Sequence, residues 1–264
     1  MTGPVPISAW GLAGAAALIA INGGLSLWLR LRLERRLLIA SLRTVVQLLL
    51  LGYLLVPIFA WRNPFLIGAT CLLMISLAAR EAVRRVGRSY GGIGRNAFFA
   101  LSLSATVTTL LAVTVLVGVE PWWEPRYLIP LLGMILGNSL TGISLGLDRC
   151  LAELDEGRDR VEAMLAFGAT WWEAARPVAA EALRTGMIPI LNTMSVVGIV
   201  TIPGMMTGQL LGGTPPDMAA RYQILIIFLI AASTAAGGTL AILLTLRRLF
   251  DSEHRLRHDL LVRR

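Results

Sequence analysis

Seven stretches of this chain stay apolar for about twenty residues at a time. They run roughly from Ile7 to Leu29, Leu37 to Ala60, Pro64 to Ala79, Ala97 to Val119, Tyr127 to Leu147, Met187 to Leu211 and Ala219 to Leu246. A hydrocarbon core about 30 Å thick is crossed by a helix of that length, and a backbone facing lipid must satisfy its own hydrogen bonds. The repeat therefore predicts an all-α, polytopic helical membrane protein of about seven spans, forming one transmembrane domain over residues 1–264. Composition agrees: 56% of residues are hydrophobic, 15% are charged, and the mean hydropathy is +0.70.

All 24 basic residues are arginine. A P-loop uses a lysine to reach the phosphates, so this chain cannot be its own P-loop ATPase. The arginines alternate between loops. Arg30, Arg32, Arg35 and Arg36 follow span one; Arg80, Arg84, Arg85, Arg88 and Arg95 follow span three; Arg149, Arg158, Arg160, Arg176 and Arg184 follow span five; six more follow span seven. The intervening loops hold only Arg62, then only Arg126, then none from Gly212 to Met218. Arginine favours the cytoplasmic side, which predicts the N-terminus outside and the C-terminus inside. The net charge of +8 is thus sorted by membrane side and does not call for nucleic acid. No positive segment precedes the first apolar run, which is read as a span and not a signal peptide. Trp122, Trp123 and Tyr127 fall where an outer aromatic belt is expected.

The sixth span, NTMSVVGIVTIPGMMTGQLLGG at 192–213, is interrupted by Pro203-Gly204 and Gly208. A helix broken at membrane depth must be buried in protein or line a cavity, and such breaks form transporter substrate sites. Asn192, Met194, Ser195, Pro203, Met205, Met206, Thr207 and Gln209 are pathway candidates on that ground. The competing reading is a kink that serves packing alone. Arg43 and Gln47, one turn apart on span two, are further candidates, although Arg43 is near enough to the membrane edge to snorkel. On span five, Gly133, Gly137, Gly142 and Gly146 let helices approach closely, Gly133 and Gly137 forming a GxxxG for packing within the bundle or at a dimer interface, and Asn138 and Ser139 add polar groups to an apolar segment. An enzyme reading has only Glu120, Glu124 and Asp217 outside, without a His or Cys companion. An ion-driven transporter would be expected to carry an intramembrane carboxylate, and no span contains Asp or Glu. His254 and His258 both lie in the basic tail, and Cys71 and Cys150 are not expected to pair.

One long hydrophilic insertion remains, Asp148 to Gly186. It reads as helices over Arg158–Phe167 and Trp171–Thr185, divided by the Gly168-Ala169-Thr170 stop and N-cap. Glu162-Ala163-Met164 with Gly168 resembles the EAA loop of ABC importer permeases, while Val178-Ala179-Ala180-Glu181 departs from the usual ending. Joined by GNSLTGISLGL at 137–147, LNTMSVVGIVTIPGMMTGQLLGG at 191–213 and YQILIIF at 222–228, the chain resembles the small ABC permease family of Fet-type iron exporters and the plant aluminium-sensitivity half-transporter. The resemblance covers essentially the whole chain and is tightest from about Gly133 to Phe228.

The resemblance implies a transport subunit, not an enzyme, in the bacterial cytoplasmic (inner) membrane. A permease homodimer would pair with a separately encoded P-loop ATPase. ATP and Mg would bind that partner, with no cofactor in this chain. Arg158, Glu162, Ala163, Gly168, Trp171 and Trp172 would then form the coupling surface. Iron is the cargo implied by bacterial members and a nucleotide sugar by plant ones. The pathway candidates offer amides, hydroxyls and thioethers, whereas hard iron ions prefer oxygen and imidazole ligands, so no high-affinity iron site is legible.

Overall fold

The computed structural model describes residues 8–263; Ile7 of the first predicted span and Arg264 of the tail lie outside it. Nine α-helices follow in order: α1 (Ala9–Trp28), α2 (Glu34–Trp61), α3 (Pro64–Arg84), α4 (Ile93–Leu111), α5 (Pro125–Glu156), α6 (Arg158–Ala166), α7 (Trp171–Val196), α8 (Gly204–Leu211) and α9 (Pro216–Leu249). Ala112–Leu116 prolongs α4 as a π-helical turn. Two short strands, β1 (Arg88–Ser89) and β2 (Val262–Arg263), pair antiparallel.

Local chemistry sets several of these boundaries. Asn63 caps α3 by accepting from Phe65 N at 2.9 Å, with Pro64 in the first helical position, where its missing N–H costs nothing. Among the described residues, α1, α2, α3, α4 with its π turn, α5 and α9 are long and apolar enough to cross a membrane. The predicted sixth span is not one helix. Its first half is the end of α7, its second half is α8, and residues 197–203 separate them.

Helix α5 stands at the centre, packed against α3, α4, α7 and α9. Helices α3 and α5 run in the same direction: Arg62 and Glu124 meet at 3.7 Å at one end, and Gly87 N donates to Asp148 Oδ1 at 2.8 Å at the other. The second end carries the arginine-rich connections. Helices α1 and α2 form a pair beside this bundle, joined where Ser26 Oγ accepts from Leu33 N at 2.9 Å and donates to Glu34 at 3.0 Å. Their apolar side chains are nearly all exposed, as a lipid-facing pair requires.

Small residues set the tightest crossing. A Cβ on Gly142 would stand 2.7 Å from Gly186 O, and one on Gly186 would stand 2.7 Å from Gly142 O. Gly146 meets Ala182 O in the same way at 3.2 Å. Across the bundle, a Cβ on Gly237 of α9 would lie 2.6 Å from Ser104 Oγ of α4. Of the GxxxG pair, a Cβ on Gly133 would stand 3.3 Å from Met74 Cε of α3, while one on Gly137 meets nothing within 4 Å. The close approach to α7 uses Gly142 and Gly146, nine residues further along.

Gly186→Val and Gly142→Val should therefore each cost about 1–3 kcal/mol, lowering the melting temperature in detergent by about 2–10 °C. Gly137→Val should change it by no more than about 1 °C. Equal losses at all three positions in a thermal melt would remove the α5–α7 crossing as the cause.

Candidate functional site

Helix α7 begins at a capping box. Thr170 Oγ1 accepts from Glu173 N at 3.3 Å, and Thr170 N donates to Glu173 Oε2 at 2.8 Å. The Thr170 backbone and hydroxyl donors hold the Glu173 carboxyl below the usual carboxylate range. The capping contribution is therefore present above that range and is lost as pH falls through the lowered value. From this cap, Ala175, Val178, Ala179, Ala182, Gly186 and Ile190 form a buried stripe against the bundle. The second hairpin helix and the first half of the sixth span are thus one continuous helix. Beyond Ile190 that packing stops, and residues 191–196 are exposed.

The break itself is built from a tight turn. Gly198 has φ +82°, which favours glycine, and its N–H donates to Thr201 O at 2.9 Å. Pro203 then caps α8, which packs back against α9. Val196 lies about 15 Å beyond Gly186 at 1.5 Å per residue, whereas α5 continues about 26 Å from Gly142 to Pro125. Helix α7 consequently stops roughly 10 Å short of the Pro125 end of α5, inside the length of the bundle.

Most of the predicted pathway residues surround this point. Asn192, Met194 and Ser195 are exposed on α7, and Thr207 is exposed on α8. Met205, Met206 and Gln209 are half-buried, and Gln209 Oε1 is buried without a partner. Thr193, Ser195 and Thr207 return their hydroxyls to the carbonyls of Pro189, Leu191 and Pro203 at 3.0, 2.9 and 3.1 Å. Asn192 makes no side-chain hydrogen bond among the described residues. On α5, Asn138 Nδ2 donates to Met134 O at 2.8 Å, leaving its carbonyl oxygen available.

At about 100° per residue, Asn138 and Thr141 of α5 and Thr185 and Asn192 of α7 fall on the same side of the α5–α7 pair, turned away from α9. Ser139 points the other way. It is 0% exposed and donates to Ser233 of α9 at 3.2 Å, so it belongs to helix packing. Arg43 and Gln47 are exposed on α2, and Arg43 makes no ion pair among the described residues. The face can therefore solvate a polar or partly hydrated cargo through amide and hydroxyl groups. Among the described residues, no three His, Cys, Asp or Glu side chains gather as a strong metal site would require.

At the arginine-rich end, α6 and the start of α7 form the expected hairpin. Arg158 and Glu162 pair at 2.6 Å while both remain exposed, and Ala163 is exposed beside them. Gly168 has φ +91°, so its first duty is the turn. Phe167, overlooked in the sequence, occupies the tip and is 93% exposed. The legible signal was an aromatic immediately before a turn glycine. Trp172 is exposed, whereas Trp171 turns inward onto Phe250 at a ring separation of 6.1 Å.

The C-terminal tail braces this hairpin. Trp171 N donates to His254 Nδ1 at 3.2 Å. Asp155, at the end of α5, accepts from Arg88 and Arg263 at 2.7 and 2.8 Å and meets His258 at 3.1 Å. A groove of about 440 Å³ opens between hairpin and tail, lined by Glu162, Leu165, Glu253, His254, Arg255 and Leu256. Asp155→Asn should free the tail, because Arg88 and Arg263 would lose their shared carboxylate. Backbone amides of residues 256–263 should exchange about tenfold faster or more, a loss of about 1.4 kcal/mol locally. Unchanged exchange would mean that the tail is held by Phe250 and β-pairing alone.

The profile of UPF0014, an uncharacterised protein family, matches residues 9–250. The chain is 37% identical to the UPF0014 membrane protein slr1647 of Synechocystis over 247 residues, covering 92% of each. It is 29% identical to the probable iron export permease protein FetB of Escherichia coli, covering 86% of each. It is 30% identical to the protein ALUMINUM SENSITIVE 3 of Arabidopsis thaliana, covering 86% of this chain and 82% of that one. No solved structure matches it. With nearly its whole length matched by the profile and by these relatives, the chain belongs to the UPF0014 family of membrane proteins.

Proposed function

We propose that this protein is the permease subunit of an ABC-type exporter, driven by a separately encoded P-loop ATPase in the bacterial cytoplasmic membrane. The observation that carries the reading is α7, one continuous helix leading from a braced hairpin with a bare aromatic tip to a break inside the bundle. Phe167 at 93% exposure is an anchor in want of a pocket, and buried aromatics dominate the binding energy of interfaces. ATP-driven movement of the partner pushes the hairpin, α7 carries the displacement past Gly186, and the 197–203 turn changes access to the cargo. The chain carries no lysine for a P-loop, so hydrolysis falls to the partner.

Two copies complete the pathway. An amide left facing hydrocarbon is costly, and Asn138 and Asn192 lie on a bundle face that nothing in one copy covers. Packing a second α5–α7 face against the first encloses these groups in a shared, polar passage. The cargo is a metal ion, iron, as the name of the E. coli relative supports. Amide and hydroxyl donors suit an ion that keeps part of its hydration or its chelator. The same donors suit a nucleotide sugar, so both cargoes belong in the assay. An ion-driven mechanism has less support, because no carboxylate stands on this face.

Phe167→Ala should weaken ATPase association about 10- to 1,000-fold, as truncation of an interface anchor does, and abolish ATP-dependent transport. Asn192→Leu should leave the partner bound but change iron export from loaded proteoliposomes. Full association and transport in Phe167→Ala would overturn the coupling assignment. Unchanged transport in Asn192→Leu would return the polar face to helix packing.

A further inference from the structure

A second feature lies apart from hairpin and pathway, on the outer side of the bundle. A groove of about 400 Å³ opens between α3 and α4 near their arginine-rich ends, lined by Ser76, Ala79, Arg80, Val83, Arg84 and Phe98, together with Gly94. We infer that this groove holds the phosphate of an anionic phospholipid.

The argument starts with charge. Arg88, Arg149, Arg158, Arg160, Arg184 and Arg263 all meet carboxylates at 2.9 Å or less. Arg80 makes no ion pair or hydrogen bond among the described residues. Arg84 reaches only Glu81, at 3.6 Å, an exposed pair that contributes little. Two guanidinium groups therefore flank one groove with donors to spare, and guanidinium matches phosphate geometry through paired N–H groups.

Depth and shape then select the source of the phosphate. Arg80 lies about 24 Å along α3 from Pro64, near the far boundary of a 30 Å hydrocarbon core. Leu73, Leu77, Arg80 and Arg84 follow at i, i+4, i+7 and i+11, so one stripe passes from exposed leucine to arginine. That is the profile of a lipid, with acyl chains along the leucines and the headgroup at the arginines. Small residues, Ala79 and Gly94, leave the space between the helices that the phosphate needs. Basic pockets between membrane helices recognise anionic headgroups in this way.

The test uses the full chain in nanodiscs of phosphatidylcholine with a minor fraction of phosphatidylglycerol, followed by extraction and native mass spectrometry of retained lipid. Wild type should retain phosphatidylglycerol over phosphatidylcholine. Arg80→Gln with Arg84→Gln should lower that retention about 10- to 30-fold, while Arg126→Gln at the opposite end should leave it unchanged. Melting curves in phosphatidylcholine alone verify that the double variant is folded. If it is not, Arg80→Gln and Arg84→Gln singly should each lower retention by about fivefold. Equal retention by wild type and the folded variants overturns the site. Displacement of the lipid by millimolar inorganic phosphate overturns the lipid as its occupant.

Discussion

The contact between Gly142 and Gly186 determines where everything else sits. Each backbone comes so near the other's carbonyl that any Cβ would collide, so α5 and α7 are locked at one depth. That depth decides where α7 runs out of partners, after Ile190, and hence where the broken segment falls within the bundle. Moving the crossing by one turn would shift the 197–203 turn by about 5 Å. Gly146 with Ala182 extends the same crossing, and Gly237 with Ser104 carries the same logic to α9 and α4. The result is a bundle whose centre is close-packed and whose one polar flank is left open.

The same helix links the two ends of the functional reading. At the arginine-rich end it is fixed by the Thr170 cap, by His254 on the Trp171 amide, and by Phe250 packed at a tilt against Trp171. The tail that supplies these contacts is in turn tied to Asp155 at the end of α5 through Arg263, and to Arg88 in the α3–α4 connection through the β1–β2 pairing. The hairpin is therefore a braced extension of the bundle, with Phe167 at its outermost point. At the other end the helix is free of packing and terminates in a glycine turn. A displacement applied at a braced end and released at an unbraced one is how a packed structure delivers motion to a chosen place.

Much of this was legible in the sequence, and the failures share a cause. Apolar length marked the bundle, and the Pro203-Gly204 dipeptide marked the break to within a few residues, because proline lacks the N–H that a continuing helix needs. Hydropathy places the edge of the lipid, however, and not the end of a helix. The hairpin and sixth span were separated at Met187 although α7 continues without interruption from Trp171. Gly133, Gly137, Gly142 and Gly146 all stood out as small residues, but periodicity in an almost wholly apolar helix does not show which of them meets a neighbour, and Gly142 and Gly146 are the ones that close on α7. Ser139 was placed beside Asn138 for the same reason and points into α9. The Asp155 clamp joins residues 67 and 108 positions apart, beyond any local pattern.

The central claim is that hairpin and broken span move together through α7. Spin labels at Val200 in the turn and Trp122 just before α5, both exposed, report that motion by pulsed electron resonance with the ATPase partner bound. The account predicts that trapping ATP on the partner shifts their separation by on the order of 2–5 Å. A separation that stays fixed while the partner is bound and hydrolysing ATP would contradict it.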